Sequence, residues 1–172
     1  ACRVWYTFLY FGHNPKLVSV LNGNFKKWLN EKRPTSKKIN NSETTKYLAN
    51  EDCSLVVNKD QINENIIKKK YQWIDARGDQ GFLGLQQDHR KQLRAANINL
   101  PFQKLIDEKD RTLKKKEELI NIFKDKQISI DKEMAFTCGS GVTACILGLA
   151  NSIISGKEPI IYDGSWAEYG LN

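Results

Sequence analysis

The sequence predicts an α/β fold: a mostly parallel sheet flanked by helices on both faces. Three observations carry this reading. Short apolar runs alternate with segments of helical period, one such run (134–137) passes through a glycine-rich loop into a long apolar helix, and the two ends of the chain share an order of elements. With 40% hydrophobic and 10% aromatic residues, the 172-residue chain can build one sizeable core and is not wholly disordered.

Residues 2–11 read as an aromatic-rich helix ended by Gly12, residues 17–21 as a strand closed by Asn22-Gly23, and residues 25–29 as a second helix. The alternation proper starts at Leu55-Val56-Val57, a short strand. Asn58 and Gln61 then form a capping pair for a helix carrying Ile62, Ile66 and Ile67. Trp73 to Ala76 is the next strand, and Leu105-Ile106 belongs to a short helix. Leu113, Leu119, Ile120 and Phe123 line one face of a further helix with charges opposite. Residues 134–137, 143–154 and 160–162 complete the series as strand, helix and strand. Such a sheet is covered on both faces and leaves its ligand site outside the strand carboxyl ends. Cys138 falls at such an end.

Cys138-Gly139-Ser140-Gly141-Val142-Thr143-Ala144 is the segment that reads as chemistry. Gly139 and Gly141 can take φ > 0, so successive N–H groups can turn toward one point, where the following helix adds its partial positive charge. A thiol there should ionise below its reference value, which makes Cys138 the candidate nucleophile. The competing reading is an inert core cysteine beside a tight turn. Cys145, apolar-flanked and two turns into the helix, reads as core, with a resolving disulfide to Cys138 as the lesser alternative.

Several function classes fall away. The four cysteines at 2, 53, 138 and 145 contain no Cys-x-x-Cys pair, and with two histidines they fit neither a zinc site nor a disulfide framework. Neither His13 nor His89 is placed to serve a cysteine-histidine dyad. A cysteine phosphatase needs Cys-x5-Arg, and Ala144 stands at the arginine position. The net charge of +7 comes from scattered lysine clusters without a nucleic-acid motif, so it reads as solvated faces whose field favours small anionic substrates. No apolar run is long enough to span a membrane.

The loop from Cys138 to Ala144 resembles the active-site loop of the mercaptopyruvate sulfurtransferase branch of the rhodanese family. Asp75-Ala76-Arg77 resembles the family's Asp-x-Arg strand end. Asn97-Ile98-Asn99-Leu100-Pro101-Phe102 resembles its Asn-x-Pro-Phe segment, and Tyr162-Asp163-Gly164-Ser165-Trp166-Ala167-Glu168 its closing strand and turn. The segments follow the family's order, densely over 54–172 and more loosely over 1–32. The resemblance implies two tandem rhodanese domains, of which the second carries the cysteine. Residues 1–32 are then the C-terminal part of a first domain, 33–53 a linker and 54–172 the catalytic domain. Gly23, Phe25 and Trp28 stand at one constant offset from Gly164, Trp166 and Tyr169, a trace of that repeat. The aromatic first helix is expected to dock on the second domain or to leave an apolar patch exposed.

The resemblance also implies a chemistry. Cys138 would carry sulfur as a persulfide, Gly139, Ser140, Gly141, Val142 and Thr143 would hold the anionic sulfur, and Arg90 would orient the donor's carboxylate. The donor would be a small anion, 3-mercaptopyruvate before thiosulfate, because the thiosulfate branch carries basic residues where this loop has Gly139 and Ser140. The acceptor would be a thiol such as thioredoxin or glutathione, or cyanide, without metal or organic cofactor, nucleic acid or membrane, in cytoplasm or mitochondrion. Three departures stand against full activity. Gly81 occupies the position of a substrate-gripping arginine, the 91–96 segment lacks the family's Gly-His-Ile-Pro-Gly turn, and the first-domain Asp and His that would work with Ser140 are not in this sequence. The alternative is a non-catalytic or degenerate rhodanese-like binding module.

Overall fold

Five short strands, β1 (Val56–Val57), β2 (Gln72–Asp75), β3 (Ile98–Asn99), β4 (Met134–Thr137) and β5 (Ile160–Tyr162), pair in parallel in the order β1-β5-β4-β2-β3. The structure, a computed structural model, describes residues 1–85 and 98–171. Arg90 and the 91–96 segment lie outside the described residues. The helices are α1 (Cys2–Tyr10), α2 (Asn24–Asn30), α3 (Lys59–Lys68), α4 (Asp79–Leu83), α5 (Lys116–Asp125), α6 (Ala144–Ser155) and α7 (Ser165–Tyr169).

The pleat divides the strand side chains between two cores. Ile74, Phe136 and Ile161 point to one face, where they meet Trp5, Tyr6 and Leu9 of α1, Leu119 and Phe123 of α5, and Leu147 and Ala150 of α6. Trp73, Ala135 and Tyr162 point the other way, onto Val57 and Ile62, with Phe82 and Tyr169 packed alongside. Central β4 is buried along its whole length, as a strand covered on both faces must be. The expected α/β sheet with helices on both faces is what forms.

The capping pair before α3 closes both ways: the Gln61 N–H donates to Asn58 Oδ1 (2.9 Å) and the Asn58 N–H to Gln61 Oε1 (2.8 Å). Ile62 is buried, but Ile66 and Ile67 are exposed. The apolar residues of α3 therefore run onto solvent beyond the turn that touches the sheet. The short helix expected at Leu105-Ile106 is a 3-10 turn, Phe102–Leu105. Leu113 lies before α5 and pairs with Ile106 across an isolated antiparallel bridge.

The aromatic helix α1 docks on the same core: Trp5, Tyr6 and Leu9 are buried, and the Tyr6 hydroxyl donates to the Leu55 carbonyl (2.8 Å), whereas Phe25 and Leu29 of α2 are exposed. Val4 and Phe8 remain exposed on its outer side. Further ties are the Leu113 N–H to Asn22 Oδ1 (2.7 Å) and Lys27 Nζ to Asp110 (2.9 Å). The strand expected at 17–21 does not form. Pro15–Leu17 is a 3-10 turn and Val18 has extended dihedrals, but among the described residues no neighbouring strand offers it a ladder. Asn24 (φ +58) and Ser165 (φ +50), which stand at the same offset as the repeat residues, each open a short helix with a left-handed φ.

Candidate active site

Neighbouring strands β2 and β4 send their chains in opposite directions, β2 onward to β3 at one edge and β4 onward to β5 on the other side. Connections that diverge in this way leave a crevice at the strand carboxyl ends. Cys138, the first residue after β4, and the Asp75-Ala76-Arg77 segment after β2 both stand there.

The backbone of Cys138 is held from the turn between β5 and α7. Its N–H donates to Ser165 Oγ (3.3 Å), and its carbonyl accepts from the Trp166 N–H (3.0 Å). The Gly139 carbonyl accepts from the Ala167 N–H (2.9 Å). Ser165 is fully buried; its hydroxyl donates to the Tyr162 carbonyl (2.8 Å) and accepts from the Thr137 hydroxyl (3.4 Å). A left-handed serine costs about 1 kcal/mol of backbone strain, and this hydrogen-bond cluster holds it in place.

Of the two loop glycines, only Gly141 takes a positive φ (+73). A Cβ there would lie 2.7 Å from Asp163 Oδ1 and 2.9 Å from the Asp163 backbone oxygen, so the loop needs glycine at this point. Gly139 corrects the sequence reading: its φ is not in the left-handed region, and a Cβ on it would meet nothing within 4 Å. One reversal of the chain, not two, turns the loop into α6. Ser140 and Val142 face solvent, and Thr143 is half-buried.

Burial by itself pushes the Cys138 thiol up. The Thr143 hydroxyl and the N–H groups of Ala144, Ser140 and Thr143 bond the sulfur, outweigh burial, and hold the thiol below its ordinary value. Thr143 is the N-cap of α6 but makes no side-chain cap bond, because its hydroxyl is turned to the sulfur. The first N–H groups of the helix thus serve the thiolate. Cys145, seven residues on, behaves in the opposite way. Burial pushes its thiol up to about 12, and its S–H donates to the Gly141 carbonyl (3.2 Å). One cysteine is set up to ionise, and the other is a neutral part of the core.

Asp75 and Arg77 form the expected ion pair: Arg77 Nε and Nη2 bond Asp75 Oδ2 at 2.8 and 2.7 Å, and the Arg77 N–H donates to Asp75 Oδ1 (2.8 Å). Asn99 Nδ2 closes the loop by donating to the Asp75 and Arg77 carbonyls (3.1 and 2.8 Å). The guanidinium also lies over the Trp166 ring, 4.6 Å from its centroid, which ties the β2 end to the turn that holds Cys138. Gly81 sits in α4. Among the described residues, no group of three His, Cys, Asp or Glu is placed to hold a metal ion, and no helix is long and apolar enough to cross a membrane.

Sequence reasoning gave no role to Ser165, Trp166, Asp163 or Arg3. The first three lie in the Asp-Gly-Ser-Trp run, whose position after β5, beside β4, was a usable signal. Arg3, on α1, bonds Asp163 Oδ1 and the Gly141 carbonyl across the whole length of the chain, and no local pattern marks it.

No family model matches the chain. Mouse (Mus musculus) 3-mercaptopyruvate sulfurtransferase is 35% identical over 173 residues, covering 98% of this chain and 57% of that protein. Mouse thiosulfate sulfurtransferase is 35% identical over 175 residues, covering 98% and 58%. The chain therefore spans somewhat over half the length of the curated relatives it matches. Among solved structures, SseA from Escherichia coli, described with the "Rhodanese" fold of 3-mercaptopyruvate sulfotransferases, superposes with a TM-score of 0.80 at 26% identity over 96% of this chain and 62% of that one. The anaerobic ergothioneine biosynthesis enzyme from Chlorobium limicola superposes with a TM-score of 0.85 over the whole chain and 43% of its own, a likeness of fold alone at 19% identity. A parallel sheet with the Cys138 loop at its switch point, superposing on SseA at 26% identity, gives the chain the rhodanese fold, and over nearly all of its length it is similar to sulfurtransferases of the rhodanese family.

Proposed function

We propose that the chain transfers sulfane sulfur from a small anionic donor to a thiol through a Cys138 persulfide. One observation carries the reading: Cys138 is a buried thiol whose ionisation the Thr143 hydroxyl and three loop N–H groups favour against burial. That is the arrangement a sulfur nucleophile requires.

In the first half-reaction the Cys138 thiolate attacks the sulfur of 3-mercaptopyruvate. The S–S bond forms, the C–S bond breaks, and the electron pair leaves on the enolate of pyruvate, which takes a proton from solvent. In the second, an acceptor thiolate such as that of thioredoxin or glutathione, or cyanide, attacks the outer sulfur and returns Cys138 as thiolate. The loop N–H groups serve both halves, because the sulfur they face is anionic before attack and again on release. The relatives named for 3-mercaptopyruvate and thiosulfate both support this donor class; Gly139 and Ser140 in place of basic residues favour mercaptopyruvate. Arg90 is assigned the donor's carboxylate.

Gly81 favours a second reading, a rhodanese-like module that binds without turnover. Intact-mass measurement after incubation with mercaptopyruvate separates the two. The wild type gains one sulfur atom, located on Cys138, and Cys138→Ser gains none; an unchanged wild-type mass rejects the transferase reading.

A further inference from the structure

The Cys138 loop is closed from behind by a residue that lies outside the β/α alternation. Arg3 on α1 forms an ion pair with Asp163, and the same Nη1 reaches the Gly141 carbonyl at 3.5 Å. Its guanidinium stands 5.8 Å from the centroid of the Tyr6 ring, one helical turn on. Tyr6 is itself immobilised by burial and by its hydrogen bond to the Leu55 carbonyl (2.8 Å). The cation is therefore aimed, with 34% of its side chain exposed.

The target matters because of where it lies in the loop. The Gly141 carbonyl is the acceptor for two donors, Arg3 Nη1 and the Cys145 thiol. In a trans peptide the C=O and the following N–H point in opposite directions, so fixing this oxygen fixes the 141–142 peptide plane. Ser140 precedes that peptide in the chain and Thr143 follows it, and their N–H groups and the Thr143 hydroxyl hold the Cys138 sulfur. A Cβ at Gly141 would stand 3.0 Å from Arg3 Nη1, so Arg3 is in contact with the turn.

We infer that Arg3 is a positioning residue for the Cys138 loop, acting through Asp163 and the Gly141 carbonyl to keep the loop N–H groups converged on the sulfur. The inference builds on the proposed function, but its test does not require sulfur transfer. Among the described residues, the charged and titratable groups packed about the loop are Cys2, Arg3 and Tyr6 of α1, Cys145 of α6, Asp163 after β5, and the Asp75–Arg77 pair at the end of β2, which reaches the site through Trp166.

The experiment is the pH profile of Cys138 alkylation by iodoacetamide, followed on the Cys138 peptide by mass spectrometry so that Cys2 and Cys53 do not contribute. Each rate is normalised to its own high-pH plateau, which separates ionisation from access. For Arg3→Ala the midpoint moves to higher pH and the normalised rate below it falls about threefold or more, the loss of roughly one hydrogen bond to the sulfur. Thermal stability changes little, as for a partly exposed ion pair. Asp163→Asn separates positioning from charge: removing a negative charge alone would lower the midpoint, whereas loosening the clamp raises it. An unchanged midpoint in Arg3→Ala, or a lowered or unchanged one in Asp163→Asn, overturns the inference. Should Arg3→Ala fail to fold, Arg3→Lys, which keeps the charge and loses the fork, is read by the same criterion. If the profiles shift as expected while wild type takes no sulfur from mercaptopyruvate, the donor reading falls and the role of Arg3 stands.

Discussion

Replacing either loop glycine by alanine tests whether the loop is built on one chain reversal or two. At Gly141 an alanine would have to hold φ near +73, which costs a non-glycine residue about 1 kcal/mol. Its Cβ would also press on Asp163, 2.7 Å from the carboxylate oxygen and 2.9 Å from the backbone oxygen. The first contact can swing away only by disturbing the Arg3 pair, and the second is main chain in the turn that holds Cys138. Overpacking of this kind adds about 1–3 kcal/mol, so Gly141→Ala should destabilise the protein by about 2–4 kcal/mol and lower Tm by roughly 5–15 °C. Gly139→Ala meets nothing within 4 Å and needs no left-handed backbone, so its effect should stay within about 0.5 kcal/mol. Urea unfolding of the two variants beside wild type reads the difference directly. Equal stabilities would mean that the loop does not turn at Gly141, and the assignment of the Cys138 donors would fall with it.

Three further outcomes rest on the hydrogen bonds at Cys138 and at the α3 cap. Thr143→Val keeps the branched shape but removes the hydroxyl bond to Cys138, so kcat for sulfur transfer should fall roughly tenfold and the alkylation midpoint should move to higher pH. Because the folded state lowers the Cys138 pKa, its thiolate contributes stability above the ordinary thiol value and loses it as pH falls through the folded value. The stability gap between wild type and Thr143→Val should accordingly be widest in alkali and close as pH falls through the folded value; a gap independent of pH would contradict the hydrogen bond. Asn58→Ala opens the capping box before α3 and should lower stability by about 1 kcal/mol without altering Cys138 alkylation; no shift in the urea midpoint would refute the cap.

The Cys138 loop was legible because its interactions are local. Four of the groups that bear on the Cys138 sulfur, the hydroxyl and three N–H donors, come from residues 140–144, so a strand, a glycine and a helix start in succession were enough to place them. The strand at 134–137 was equally plain, since a fully buried central strand is apolar without interruption. Residues 17–21 have the same local character as 160–162 but form no strand, because strand formation depends on a partner whose presence composition does not encode. Ile66 and Ile67 failed for a related reason: a helical stripe wider than the sheet beneath it ends in solvent.

The turn from β5 into α7 marks where local reading stops. Asp163, Ser165 and Trp166 do nothing for each other that their order would disclose. They matter because β5 lies beside β4, which brings Ser165 Oγ to the Cys138 N–H and the Trp166 N–H to the Cys138 carbonyl. Strand adjacency is a property of the whole chain, set by α6 crossing back over the sheet. Arg3 is one step further removed, since it needs both that adjacency and the docking of α1 on α6 through Trp5, Tyr6 and Leu9. α1 shares its core with the sheet that carries Cys138 and supplies a cation to the rear of its loop. The Cys138 loop is encoded in seven consecutive residues, whereas the stiffness of its surroundings is distributed from Arg3 to Trp166.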